Sequence, residues 1–132
     1  MNPVNHVMLI DDSDDDNFIH QRVIAKTGFA NRVTIYQYAE QALEFLTADD
    51  LEHPVDIIFL DINMPRMDGF EFLVAYSQLP LERRARKLLF MVSTSLNPKD
   101  RERAESNSHV HGFIGKPLTV ETLQRVLGDF DL

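Results

Sequence analysis

Three short runs of uninterrupted apolar residues, VMLI at 7–10, IIFL at 57–60 and LLFMV at 88–92, limit the folds open to this chain. A strand with one face in water alternates polar and apolar residues. A strand covered on both faces reads as a continuous apolar run, so these three predict the central strands of a parallel sheet. RVTIYQY at 32–38 alternates and is rich in β-branched and aromatic residues, while HGFI at 111–114 is brief and interrupted by glycine; both read as edge strands.

The stretches between them carry helical spacing. Ala39, Ala42, Leu43 and Leu46 share one helical face, and so do Leu123, Val126, Leu127 and Phe130. Phe72, Tyr76 and Leu79 do the same after Gly69 and stop at Pro80. Phe18, Ile19, Val23 and Ile24 supply the apolar side of a first helix that ends near Gly28. The segment PKDRERAES at 98–106 is polar nearly all round, with Ala104 its only small apolar residue, which predicts the most loosely held helix. Strand and helix thus alternate five times, implying right-handed crossovers and a parallel sheet covered on both faces, an α/β fold. The 132 residues, without repeat, linker or low-complexity tract, predict a single domain.

Composition excludes several classes. No apolar run approaches the roughly 18 residues of a membrane helix. The start MNPVNHVMLIDD lacks a basic leader, and the expected setting is cytoplasmic, with no membrane contact. With no cysteine, disulfides, zinc-thiolate sites and thiol catalysis are out. A net charge of −8 argues against direct nucleic-acid binding, which needs clustered Lys and Arg. The basic knot RRARK at 83–87 reads as a solvated loop.

In an open α/β sheet, ligands bind beyond the carboxyl ends of the strands. The first run is followed there by Asp11 and Asp12, the third strand by Asp61, the fourth by Ser93 and Thr94, and the fifth by Lys116. Three converging carboxylates resist ionising together unless a cation joins them. A hard divalent ion with oxygen ligands does this, and Mg2+ (or Mn2+) suits a site of one to three carboxylates. One carboxylate can then act as nucleophile toward a phosphoryl group, with the metal and Lys116 offsetting charge on the transferring oxygens.

In LIDDS, LDINMPRMDG, MVSTS and IGKP, occurring in this order, the chain resembles the response-regulator receiver domains of two-component signalling, over essentially its whole length. The resemblance implies a flavodoxin-like (βα)5 doubly wound sheet of order 2-1-3-4-5, in a single-domain receiver spanning 1–132 with no output domain. It implies Asp61 as phospho-acceptor, with magnesium held by Asp11, Asp12, Asp61 and the backbone carbonyl of Asn63. Thr94 would bond to the phosphoryl oxygen, Lys116 would pair with it, and Phe113 would be the aromatic switch. STS leaves Ser93 and Ser95 as further hydroxyls beside Thr94, and Phe113 lacks the phenolic hydroxyl of many members. Leu96, two residues past Thr94, predicts slowed hydrolysis. Lys116-Pro117 is a candidate cis peptide. The implied donors are a histidine kinase or a phosphotransfer protein, and the implied output is a downstream protein target or a homodimer face.

Two rival functions remain open at this point. Asp12-Ser13-Asp14 also fits the D-x-D of haloacid-dehalogenase-type phosphatases, which would put phosphate on Asp12. A receiver-like binding module would signal without phosphate. Simpler roles compete at single residues: Asp61 as a helix N-cap, and Asp14, Asp15 and Asp16 as charges complementing a helix dipole. The histidines at 6, 20, 53, 109 and 111 are scattered, and His109 and His111 lack an evident third metal ligand.

Overall fold

A computed structural model describes residues 4–48, 54–95 and 97–130. The elements run β1 (Val4–Ile10), α1 (Asp14–Thr27), β2 (Ala30–Tyr36), α2 (Ala39–Leu46), β3 (Ile57–Asp61), α3 (Gly69–Ser77), a 3-10 turn (Leu81–Arg83), β4 (Leu88–Ser93), α4 (Pro98–Glu105), β5 (Gly112–Gly115) and α5 (Val120–Asp129). All strand pairs are parallel, in the order β2-β1-β3-β4-β5, as the flavodoxin-like expectation requires. His53 and Leu96 lie outside the described residues.

Side chains alternate across the sheet as the pleat dictates. Val7, Leu9, Ile57, Phe59, Phe90 and Val92 join Ile24 of α1 and Leu123 and Leu127 of α5 in one core layer. Met8, Ile10, Ile58, Leu60, Leu89 and Met91 join Ala42 and Leu46 of α2, Phe72 and Leu73 of α3 and Ala104 of α4 in the other. Because each strand feeds both layers, its run has no polar position. The register sets Ile10 beside Leu60, Asp61 beside Val92 and Ser93 beside Gly115, so every strand ends on the same edge.

The first helix departs from its expected face. It buries Asn17, His20 and Ile24, while Phe18 is 60% and Ile19 43% exposed. Polar burial is tolerated here because partners wait inside: Asn17 Nδ2 donates to the Asp11 carbonyl at 2.8 Å, and His20 Nε2 accepts from Leu118 N at 3.4 Å. β2 also ends two residues before its expected limit, because Tyr38 turns out of the sheet as the N-cap residue of α2. Phe130, expected on the apolar face of α5, is its C-cap and remains 39% exposed.

The basic knot is more than a solvated loop. Arg84 donates to the carbonyls of Leu79 and Ser77 at the end of α3, where free carbonyls attract cations, and Arg83 donates to the Ala48 carbonyl. Arg86 lies 3.7 Å from buried Asp56, whose carboxylate accepts from the backbone of Asn5 and His6.

Gly69 opens α3 directly beneath the end of β3. A Cβ there would sit 2.4 Å from the Asp61 carbonyl oxygen and 3.0 Å from Ile62 Cα, both backbone atoms with little freedom to yield. Gly69→Ala is expected to destabilise the fold by about 1–3 kcal/mol, the usual cost of overpacking. Urea unfolding measures it, and a variant as stable as the parent would contradict this account of the β3–α3 junction.

Candidate functional site

Asp61 is the last residue of β3 and is buried. It does not cap the helix that follows: Asp68 does, accepting from Glu71 N at 2.8 Å while Glu71 Oε1 accepts from Asp68 N, a reciprocal capping box. The loop between is pinned. Gly69 N donates to the Ile62 carbonyl, and Arg66, in the left-handed region at φ 69°, pairs with Glu40 at 2.9 Å and lies over the Tyr38 ring.

Asp11 is also buried, and its backbone N–H extends the ladder to the Tyr36 carbonyl. Its two oxygens have separate duties. Oδ1 accepts from Ser13 N at 3.0 Å, and Oδ2 meets Lys116 Nζ at 2.7 Å. Asp12 is exposed, yet Asp11, Asp12 and Asp61 each present an oxygen within 4.8 Å of the others. That donor set fits a hard divalent cation, leaving coordination positions for water and an incoming oxyanion. Asn63 is exposed two residues beyond Asp61.

Lys116 follows β5, and its backbone N–H donates to the Ser93 carbonyl at 3.0 Å. The Lys116-Pro117 peptide is cis. Its ammonium touches Asp11, Asp16 at 2.8 Å and Asp61 at 3.3 Å. Burial alone would lower the pKa of Lys116, but the hydrogen bonds to Asp11 and Asp16 outweigh it and hold the group above lysine's ordinary value. Asp61 goes the other way. Burial and the neighbouring charge of Asp11 push its carboxyl up to about 6, against the attraction of Lys116.

Thr94 stands exposed one residue past β4, whereas Ser93 is buried and its Oγ accepts from Ser95 N at 3.0 Å. Ser95 Oγ donates to Asp100 Oδ2 of α4 at 2.7 Å. Phe113 on β5 is half-buried, with the Arg101 guanidinium 5.7 Å from its ring centre. The two histidines of the 109–111 segment diverge: His109 meets Tyr76 edge-on, and His111 Nδ1 accepts from Leu89 N at 3.0 Å.

Sequence reasoning missed Asp16, Asn17 and His20. Asp16 was read only as a helix-start charge, but the cap is Ser13, whose Oγ accepts from Asp16 N, and the Asp16 side chain reaches Lys116. No sequence signal set Asp16 apart from Asp14 and Asp15, its neighbours in the acidic run. An open groove of about 550 Å3 adjoins the site, lined by Phe18, Ile19 and Val23 of α1 with Pro117 and Leu118 beyond the lysine.

Comparison with known proteins agrees with this geometry. The response regulator receiver domain family is matched over residues 7–127. The rice (Oryza sativa subsp. japonica) two-component response regulator ORR1 is 31% identical over 93% of this chain, which spans 54% of that protein's length. A response regulator receiver protein from Dyadobacter fermentans is 32% identical, covering 96% of this chain and 98% of its own, with a TM-score of 0.84. A two-component response regulator from Cytophaga hutchinsonii is 27% identical over 98% of both chains, again at a TM-score of 0.84. With acids at two strand ends, a lysine at a third and the family matched across nearly its whole length, this chain belongs to the response regulator receiver domains of two-component signalling.

Proposed function

We propose that this chain is a phospho-accepting switch that takes a phosphoryl group onto Asp61 from the phosphohistidine of a histidine kinase or phosphotransfer protein in the cytoplasm. The observation that carries the reading is the convergence of Asp11, Asp12 and Asp61 oxygens beside the Lys116 ammonium. Asp11, Asp12, Asp61 and the Asn63 carbonyl would hold Mg2+ or Mn2+. Bound there, the ion would neutralise charge on the phosphoryl oxygens.

The chain's own residues supply the rest. The Asp61 oxygen forms the new P–O bond as the P–N bond of phosphohistidine breaks, and the imidazole nitrogen leaves with the electron pair. Lys116 donates to a phosphoryl oxygen, and buried walls around Asp61 limit water. The groove beside Lys116 offers apolar surface to the donor protein, whose imidazole must approach from that edge. Turnover is incidental to the switch. Thr94, exposed and free to rotate inward, would bond the phosphoryl oxygen and change the face formed by α4, β5 and α5, to which a downstream target or a second copy would bind.

Acetyl phosphate with Mg2+ is expected to label Asp61, and omission of the metal to abolish labelling. Peptide mapping decides, since phosphate on Asp12 would favour the phosphatase reading and no labelling at all a phosphate-independent binding module. Beryllofluoride with Mg2+ is expected to alter amide exchange across residues 94–113; an unchanged profile contradicts the switch.

The raised pKa of Asp61 has a stability consequence. A carboxyl whose folded pKa exceeds its unfolded value keeps its proton longer in the native state, so native protein loses stability as pH rises from about 4 toward about 6. Asp61→Asn removes that loss while Lys116 keeps Asp11 and Asp16. Metal-free, the variant is expected to be about 1–3 kcal/mol more stable at pH 7, with the gap closing below about pH 4. Denaturation at both pH values, with and without Mg2+, reads this out; a less stable variant at pH 7 would refute it.

A further inference from the structure

Lysine carries three N–H donors on a flexible four-carbon stem, so an ammonium with one partner samples many orientations. Lys116 has three carboxylate partners, and the two short contacts are to Asp11 at 2.7 Å and Asp16 at 2.8 Å, with Asp61 farther at 3.3 Å. Asp16 differs from the other two in origin. It comes from the first turn of α1, not from a strand end.

That turn is fixed without help from Lys116. Ser13 Oγ accepts from Asp16 N, and Asn17 Nδ2 donates to the Asp11 carbonyl, which ties the start of α1 to the end of β1. The Asp16 carboxylate is therefore a preset acceptor. Its bond with Lys116 draws its own carboxyl below the usual carboxylate range, so it is ionised wherever the site operates.

We propose that Asp16 is a positioning residue for the phosphoryl site: with Asp11 it fixes two of the three Lys116 protons, which leaves the third aimed at Asp61 and at an oxygen of the phosphoryl group carried there. This rests on the phospho-acceptor reading for the last step only; the ammonium geometry stands without it. Asp16 also brings negative charge near an incoming anion. Orientation outweighs that repulsion because the ammonium stands between Asp16 and Asp61 and touches both.

The test compares Asp16→Ala and Asp16→Asn with Asp15→Ala, which removes an exposed acid from the same helical turn. Asp16 is one-third exposed on its side chain, so its removal leaves the core intact. In the metal-free protein, the Lys116 ammonium signal in proton–nitrogen NMR is expected to be sharp in the parent and in Asp15→Ala. It should broaden or vanish in Asp16→Ala. With Mg2+ present, beryllofluoride affinity is expected to fall about tenfold in Asp16→Ala, as for loss of a charge-assisted hydrogen bond, and less in Asp16→Asn, which retains an acceptor. Asp15→Ala should stay within about twofold of the parent.

An unchanged Lys116 signal in Asp16→Ala, unchanged or tighter beryllofluoride binding, or an equal fall in Asp15→Ala would overturn the proposal. Failure of the parent itself to take up beryllofluoride with Mg2+ is a different result, and it would remove the phospho-acceptor reading and this role with it.

Discussion

One buried ammonium organises the edge of this sheet where the chemistry lies. Lys116 meets carboxylates from β1, α1 and β3, and without it Asp11 and Asp61 would face each other across neighbouring strands with nothing to offset their repulsion. The parallel topology is what permits the meeting. β5 lies two places from β3 and three from β1, yet all three strands end on one side, and the Lys116 backbone is latched to Ser93 at the end of β4. One ammonium does not neutralise Asp11, Asp12, Asp16 and Asp61 together. The raised pKa of Asp61 comes first from its burial and then from the unbalanced charge of Asp11, and a divalent cation would offset both.

The strand framework and the acids at its edge were legible because their signals are local. A continuous apolar run declares burial on both faces, and the next residue then sits at the carboxyl end of a strand, so Asp11 and Asp61 could be placed from their neighbours alone, and Lys116 from the brief edge strand before it. The resemblance to receiver domains supplied expected roles that spacing does not carry, such as the switch hydroxyl at Thr94. What stayed hidden depends on partners remote in sequence. Helix α1 turned inward two polar residues because Asp11 and Leu118 offered bonds, and nothing in FIHQRV announces a partner about 100 residues away. Asp16 was concealed by its company in an acidic run whose members look equivalent. Arg83 and Arg84 of RRARK were equally opaque, since their acceptors are backbone carbonyls that no side-chain pattern reveals.

The scant burial of α4 was foreseen, but its means of attachment was not. Ala104 is its only buried residue among those described, so the helix brings almost no apolar area to the core. Two arginines compensate. Arg103 lies 4.0 Å from the centre of the Phe70 ring, and Arg101, which also pairs with Glu105 one turn along the same helix, stands 5.7 Å from the centre of the Phe113 ring. Exposed contacts of this kind contribute about 0.5–1 kcal/mol each, which holds a helix in place without fixing it there.

That balance bears on how a change at Asp61 would travel. The segment after β4 holds Thr94 beside Ser95, and the Ser95 hydroxyl donates to Asp100 in the first turn of α4, while Asn97 N donates back to Ser95. If Asp61 takes a phosphoryl group as proposed, a rotation of Thr94 toward it would disturb the adjacent Ser95 and strain its bond to Asp100. α4 has few other anchors to resist with. Because Arg101 links the same helix to Phe113, a shift of α4 would move the guanidinium relative to that ring and so couple α4 to β5. Phe113 needs no phenolic hydroxyl for this coupling. The contact is between a cation and a π face, and it depends on where the helix stands.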